Sequence, residues 1–284
     1  MKKMIFNLLA SIVFVLASSC SGSTSSSSSG SDSDDGEVPE EVVIETIKVM
    51  AYNIHHANPP SKPDVIDINA IINVIRNQNP DVVALQEVDV NTERSGPINQ
   101  AEIIATGLNM NYYFGKAIDY DGGEYGVAIL SKFPISETVI NRLPTAAGTN
   151  GEPRILLTVK IQTSEGNEIR FGSTHLDAQS APTNRLVQIQ KIVNLAKNEE
   201  LPFIIAGDFN ALPESEVVGI LDSHFDRTCR LCPFTIPANE PTRTIDYIAF
   251  NHPQQKFRVE EHKVVDESYA SDHRPVTATI QILE

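Results

Sequence analysis

Phe203-Ile204-Ile205-Ala206-Gly207-Asp208-Phe209-Asn210 is four apolar residues, a glycine, and then an acid and an amide on either side of a phenylalanine. A short, continuously apolar run of this kind suits a central strand buried on both faces. Other runs, such as Ile155 to Ile161, are mixed and suit a sheet covered on one side. Asp208 at the end of the apolar run offers a base or a water-orienting carboxylate, and Asn210 offers a neutral donor that does not repel an anion. Read alone, the Asp-Phe-Asn step is better explained as an Asx turn.

Working outward, five more short segments place polar side chains at strand ends. They are Tyr52-Asn53-Ile54, Leu85-Gln86-Glu87-Val88, Ser173-Thr174-His175-Leu176-Asp177, Ile245-Asp246-Tyr247 and Ser271-Asp272-His273-Arg274-Pro275. Glu87 follows Val82-Val83-Ala84-Leu85-Gln86, and a carboxylate at the end of a buried strand is costly unless it is paired or bound to a cation. Mg²⁺ prefers one or two carboxylates and keeps open positions for phosphate oxygens. A capping or salt-bridged glutamate explains Glu87 equally well. His175 can donate to a phosphoryl oxygen or act as a general acid, although a lone strand histidine is more often structural. In the 271–275 segment, adjacent Asp272 and His273 point in different directions from an extended backbone, so one can face a cation and the other a phosphate. Asp246 can then orient His273 and favour its protonated form. Each segment is a weak signal; together they make an inventory suited to cleaving phosphate esters.

Apolar recurrence at Val65, Ile68, Ile71, Ile72 and Ile75 has a helical period that ends by Pro80. A second helix is expected from Pro182 through Leu195, and a shorter one near Pro213, where proline suits a first turn. Between them the runs 47–54, 82–88, 125–131, 155–161, 169–176, 203–206, 245–250 and 276–282 read as strands. Many strands and few helices predict a four-layer α/β sandwich, with two packed mixed sheets flanked by helices. A TIM barrel needs eight regular strand–helix alternations, and the helices are too few.

The six segments, in this order, resemble the endonuclease/exonuclease/phosphatase superfamily, whose DNase I-like fold is shared by nucleases, sphingomyelinases and inositol-phosphate phosphatases. The resemblance covers residues 47–284 and includes the strand Tyr125-Gly126-Val127-Ala128-Ile129-Leu130-Ser131-Lys132-Phe133-Pro134-Ile135. It implies a metal-dependent phosphoric ester hydrolase using Mg²⁺, with Mn²⁺ as a substitute. Glu87 would be the main metal ligand, with Asn53 and Asp272 assisting. Asp208 would activate the attacking water, Asn210 would bind a phosphate oxygen, and His175 and the Asp246–His273 pair would stabilise the charge of the transition state. The mid-chain histidine often has an acidic partner in the family, for which Glu124 is the candidate here. Arg154 stays outside this set, because a surface salt bridge explains it as well as phosphate binding does. Loops at 91–99, 119–124, 144–153 and 228–244 are where substrate choice would lie.

Lys2 and Lys3, the apolar stretch from Met4 to Leu16 and the small residues before Cys20 read as an export signal over 1–19. The apolar stretch is too short to span a bilayer. The site resembles a bacterial lipoprotein cleavage site with Cys20 lipidated, departing from it at Ala17, where leucine is usual. An ordinary signal peptide with a spare cysteine is the alternative. Residues 20–41 are rich in serine and aspartate and read as a disordered tether, which leaves 42–284 as one catalytic domain. The expectation is an exported, lipid-anchored protein facing the periplasm or held at the outer membrane. Of the three cysteines, Cys229 and Cys232 then remain as a pair in an oxidising compartment, either disulfide-bonded or as free thiols.

The formal charge is −15, and more negative still once the two leader lysines are removed. An acidic surface disfavours long polyanions, so the expected substrates are phospholipid head groups or small phosphorylated metabolites. A secreted nuclease is the alternative, and convergence of Lys132, Arg142, Arg154 and Arg185 into a groove would favour it. A non-catalytic binding lipoprotein would need a broken site, and no position of the set is missing. No protein partner is indicated.

Overall fold

A computed structural model of the chain describes residues 41–251 and 256–284. The expected leader, Cys20 and the tether up to residue 40 lie outside them.

Alternation along the strands builds the layers. In β1 (Val43–Asn53), Ile47, Val49 and Ala51 turn to one face while Met50 and Tyr52 turn to the other. β2 (Val82–Val90) does the same with Val82 and Ala84 against Val83 and Leu85. In β8 (Phe203–Asp208), Ile204 and Ala206 oppose Phe203 and Ile205. The central stretches 49–52, 82–85 and 203–206 of these strands are apolar throughout because both of their faces are buried, whereas period-two alternation governs which side chain meets which core.

The other strands are β3 (Asn111–Tyr120), β4 (Gly123–Ser131), β5 (Ile135–Arg142), β6 (Ile155–Gln162), β7 (Glu168–His175), β9 (Asp226–Arg227), β10 (Asp246–Asn251), β11 (Lys256–Val264) and β12 (Val276–Leu283). They form two six-stranded sheets, ordered β11-β12-β1-β2-β4-β3 and β5-β6-β7-β8-β10-β9. Each sheet contains one parallel pair, β1–β2 in the first and β7–β8 in the second, and is otherwise antiparallel. The inner faces share one core, including Ile47, Ile129, Leu157, Phe171, Ile204 and Ile280. Helices α1 (Ile68–Gln78) and α2 (Gln100–Leu108) cover the first sheet, and α3 (Thr183–Ala196) and α4 (Glu216–Asp222) cover the second. The sandwich expected from the sequence is therefore the fold.

Helix α1 starts three residues after Val65, because the Asp67 carboxylate accepts from the Ala70 amide and caps it there. Val65 stays in the preceding loop, where its carbonyl accepts from the Asn58 side chain. Strands β3, β5, β9 and β11 and helix α2 were not expected. The four strands are sheet edges with many exposed positions, so they lack an apolar run. Among the described residues no helix is long and apolar enough to cross a membrane.

His262 on β11 shares a 2.8 Å hydrogen bond with the Thr228 hydroxyl, and burial lowers its pKa to about 4. The unfolded chain takes up this proton near pH ~6.5. The native state therefore binds fewer protons between those values, and stability falls as pH drops through that window. His262→Gln should flatten this slope by on the order of 1–3 kcal/mol between pH 6.5 and 4, read from urea unfolding midpoints of the two proteins.

Candidate active site

The registers bring all six segments to one edge of the sandwich. In the first sheet Asn53 lies beside Gln86, and Ala51 beside Val276, just after the 271–275 segment. In the second, His175 and Asp246 both pair with Asp208. The side chains of Asn53 and Asp208 then meet across the two sheets at 3.1 Å. Gly207 is required by this packing, since a Cβ there would sit 2.0 Å from the Thr174 carbonyl oxygen.

Glu87 is aimed by a bulge. Gln86 pairs with Val127 and Val88 with Gly126, so Glu87 is the extra residue, and its φ is +58°. A positive φ at a residue with a side chain is strained, and bulges of this kind re-aim side chains at functional sites. The Asn53 amide donates to Glu87 Oε1 at 3.0 Å and to Asp208 Oδ2 at 3.1 Å, while its own oxygen accepts from the His55 amide. Asn53 thus links two carboxylates as a donor.

Asp208, Asp246 and His273 are 1%, 2% and 4% exposed, and burial this deep makes each charge depend on the others. His273 Nδ1 lies 3.0 Å from Asp246 Oδ2, and Nε2 lies 3.7 Å from Asp208 Oδ2. Burial opposes a charge on His273. The Asp246 charge and hydrogen bond, with Asp208 and Asp272 behind them, outweigh it and raise the pKa to about 10. Burial and the Asp246 charge raise the Asp208 pKa, only partly offset by His273, the Asn210 amide and Asn53. His175 Nε2 is 3.5 Å from Asp208 Oδ2, and burial, then Arg154 and His273, hold this imidazole neutral.

Ligand atoms of Asp208, Asp246 and His273 all fall within 4.8 Å of one another, a group that could hold a metal ion. His273 Nδ1 is already committed to Asp246, so His273 would meet an ion through Nε2, which would have to give up its proton first. Glu87, half-buried and bonded to one neutral amide, leaves more of its carboxylate available. Asp272, also half-buried, accepts only a 3.5 Å contact from the Ser271 hydroxyl. Hard oxygen donors of this type fit a magnesium-like cation.

The Asx turn is present: the Asn210 amide N–H donates to Asp208 Oδ1 at 2.8 Å, and the Asn210 side chain donates to the Leu176 carbonyl. Glu124 is not the partner of His175. It pairs with Lys116 at 3.1 Å, and the acid facing His175 is Asp208. Arg154 is not a surface residue; it is 6% exposed, lies beside His175 and Tyr125, and pairs with Glu152. The basic residues converge only in part: Arg154 lies close enough to act on His175 and Arg185 on Asp208, while Lys132 and Arg142 lie elsewhere. Lys132 binds Asp81 at the opposite end of β4, Arg142 donates to the Ala117 carbonyl, and Arg185 is occupied by the Asp177 and Gln179 carbonyls. Cys229 and Cys232 form a disulfide.

Thr235, fully buried in the 228–244 loop, donates to Asp246 Oδ2 at 2.5 Å and fixes the carboxylate that holds His273. Nothing local to its sequence marks it. Ser271 binds the Asn53 carbonyl and receives the His273 amide, joining β1 to the last segment.

The sequence pattern of the Endonuclease/Exonuclease/phosphatase family matches residues 50–273, which spans every one of these side chains. The chain belongs to that family. Among curated proteins it is similar to YbhP of Escherichia coli strain K12, with 25% identity over 86% of this chain and all of the relative. Among solved structures, a mannosyl-6-phosphatase of Bacteroides thetaiotaomicron has a TM-score of 0.66 at 20% identity, covering 82% of this chain and 99% of the other. The catalytic domain of human Nocturnin, with bound sulfate, has a TM-score of 0.66 at 21% identity, covering 86% and 96%. These two likenesses concern the fold. Members of the family are generally phosphoesterases, and this chain is a phosphoesterase-type hydrolase in that coarse sense.

Asp246→Asn removes the charge that keeps His273 protonated. Its imidazole pKa should fall by at least two units from about 10, followed by NMR of the ring nitrogens. The Asn side chain still fits the Thr235 hydroxyl, so the thermal midpoint should move by only a few degrees.

Proposed function

We propose that this protein is a divalent-metal-dependent phosphoesterase that hydrolyses phospholipid head groups or small phosphorylated metabolites by in-line attack of water. The observation that carries this reading is the meeting, at one sandwich edge, of Glu87 and Asp208 through the Asn53 amide, next to an imidazolium held by Asp246. Glu87 and Asp272 would hold Mg²⁺ or Mn²⁺, which supplies Lewis-acid polarisation of a phosphoryl oxygen. Asp208, with its proton affinity raised by burial, is suited to take a proton from the attacking water. The water oxygen bonds to phosphorus and the ester P–O bond breaks. The alcohol leaves with one proton, and the other ends on phosphate or solvent. His273 as a cation and His175 as a neutral donor face the charge that builds on the phosphoryl oxygens. Asn210 stays beside Asp208, where its second amide hydrogen can reach a phosphate oxygen.

The acidic overall charge supports small esters over nucleic acid strands, and Arg185, near Asp208, is already occupied by two backbone carbonyls. The leader and Cys20 support a lipid-anchored location in the cell envelope. Cys20→Ala should abolish labelling by radioactive palmitate and release the protein from membranes; unchanged labelling would remove the anchor.

The direct test is hydrolysis of bis-p-nitrophenyl phosphate, phospholipid vesicles and duplex DNA by the full chain, with Mg²⁺ and after chelation. Esters should be cleaved and DNA spared, and chelation should stop turnover. Glu87→Ala and His273→Ala should each lower kcat by about 10²–10⁴. Rapid DNA cleavage would make the protein a nuclease, and near-normal activity of either variant would remove that residue from the site.

A further inference from the structure

Beside Asp272 lies a pocket of about 250 Å³ between two walls, Pro60 and Ser61 on one side and Pro237 to Asn239 on the other, with Ser268 at its rim. At roughly 30 Å³ per water, this is room for about eight waters, the size of one hexose-like ring. Both walls are fixed from behind. Buried Asn58 donates to the carbonyls of Lys62, Pro63 and Val65, which sets the 59–65 loop. The Ala238 amide donates to the Asp272 carbonyl at 2.7 Å, and Arg274 donates to the Ala238 carbonyl. A preformed cleft with a few convergent polar groups is the usual form of a small-molecule site.

Its chemistry is selective. The groups it offers are the hydroxyls of Ser61 and Ser268, the Asn239 amide and the Asp272 carboxylate, all suited to hydroxyl groups of a ligand. No cation lines it, so a second phosphate has no partner, and no aromatic ring lines it, so a nucleobase has nothing to stack on. The nearby Lys62 ammonium is turned over the Tyr269 ring, 5.4 Å from its centroid. Asp272 joins the pocket to the site, since it lines the pocket and its chain neighbours Ser271 and His273 bind Asn53 and Asp246.

We propose that this pocket seats the alcohol portion of the substrate, and that this portion is a neutral polyol such as a sugar, glycerol or inositol. The assignment rests on the phosphoesterase reading and narrows its substrate class. A soluble sugar phosphate and a polyol phospholipid head group present the same chemistry here.

The test compares kcat/KM of the full chain, with Mg²⁺, on glucose 6-phosphate, phosphatidylinositol vesicles, adenosine 5′-monophosphate, and p-nitrophenyl phosphate with its bis-ester. One polyol ester should exceed the matching p-nitrophenyl ester at least tenfold, and whichever polyol is cleaved identifies the source. In Ser268→Leu and Asn239→Leu, that ratio should fall tenfold or more, mainly through KM. Saturation-transfer NMR of glucose 6-phosphate should show ring-proton contacts in the wild type that weaken in both variants. Ser61→Leu, on the opposite wall, repeats the test if either variant fails to fold. Turnover of the p-nitrophenyl esters with no polyol preference, a ratio unmoved by folded variants, or preference for the nucleotide would overturn the pocket and leave a phosphoesterase. No turnover of any ester would remove both readings.

Discussion

The whole site depends on keeping buried carboxylates apart in charge and together in space. Glu87 and Asp208 come from different sheets, and the Asn53 amide donates to both, at 3.0 and 3.1 Å. Two carboxylates that shared such a space without a donor would repel, and one would neutralise. The amide reduces this cost without adding a counter-charge, so the local negative field is kept. Asn53 can do this because its oxygen is anchored by the His55 amide and its carbonyl by the Ser271 hydroxyl. One residue therefore connects β1, β2, β8 and the last catalytic segment.

The second half of the site answers the same constraint with a charge. His273 is buried enough to lose its proton, yet Asp246 retains it, and Thr235 in turn holds Asp246. His175, a few ångströms away and also buried, has no carboxylate dedicated to it and is neutral. The two imidazoles thus differ in charge because their neighbours differ. That difference separates a cationic stabiliser from a neutral donor within one small space.

The scaffold allows this arrangement because a parallel pair of strands in each sheet ends at the same edge, and the antiparallel partners β10 and β12 begin there. The bulge at Glu87 and the tight approach at Gly207 are the local departures from regular strand geometry that this edge requires. Around it, the loops at 59–65 and 228–244 are held by buried side chains rather than left free, which is why a preformed pocket can stand next to Asp272.

Strand alternation, the uniformly apolar runs at 82–85 and 203–206 and the order of the polar strand ends were enough to determine the sandwich and to single out most of the polar side chains that meet at its edge. These features are local: burial on both faces forces an apolar run, and an acid ending such a run must have a partner. The edge strands β3, β5, β9 and β11 were illegible because partial exposure relaxes the pattern, and the short, apolar α2 because its apolar residues are not confined to one face, Ile103 being exposed. Partnerships were decided only in three dimensions. Asn53 donates to two carboxylates, His175 faces Asp208 and not Glu124, Arg154 is buried, and Thr235 reaches Asp246 from a loop with no motif. A residue type fixes what a side chain can donate or accept, but distance and burial fix which group receives it, and those follow from the register and packing of both sheets at once.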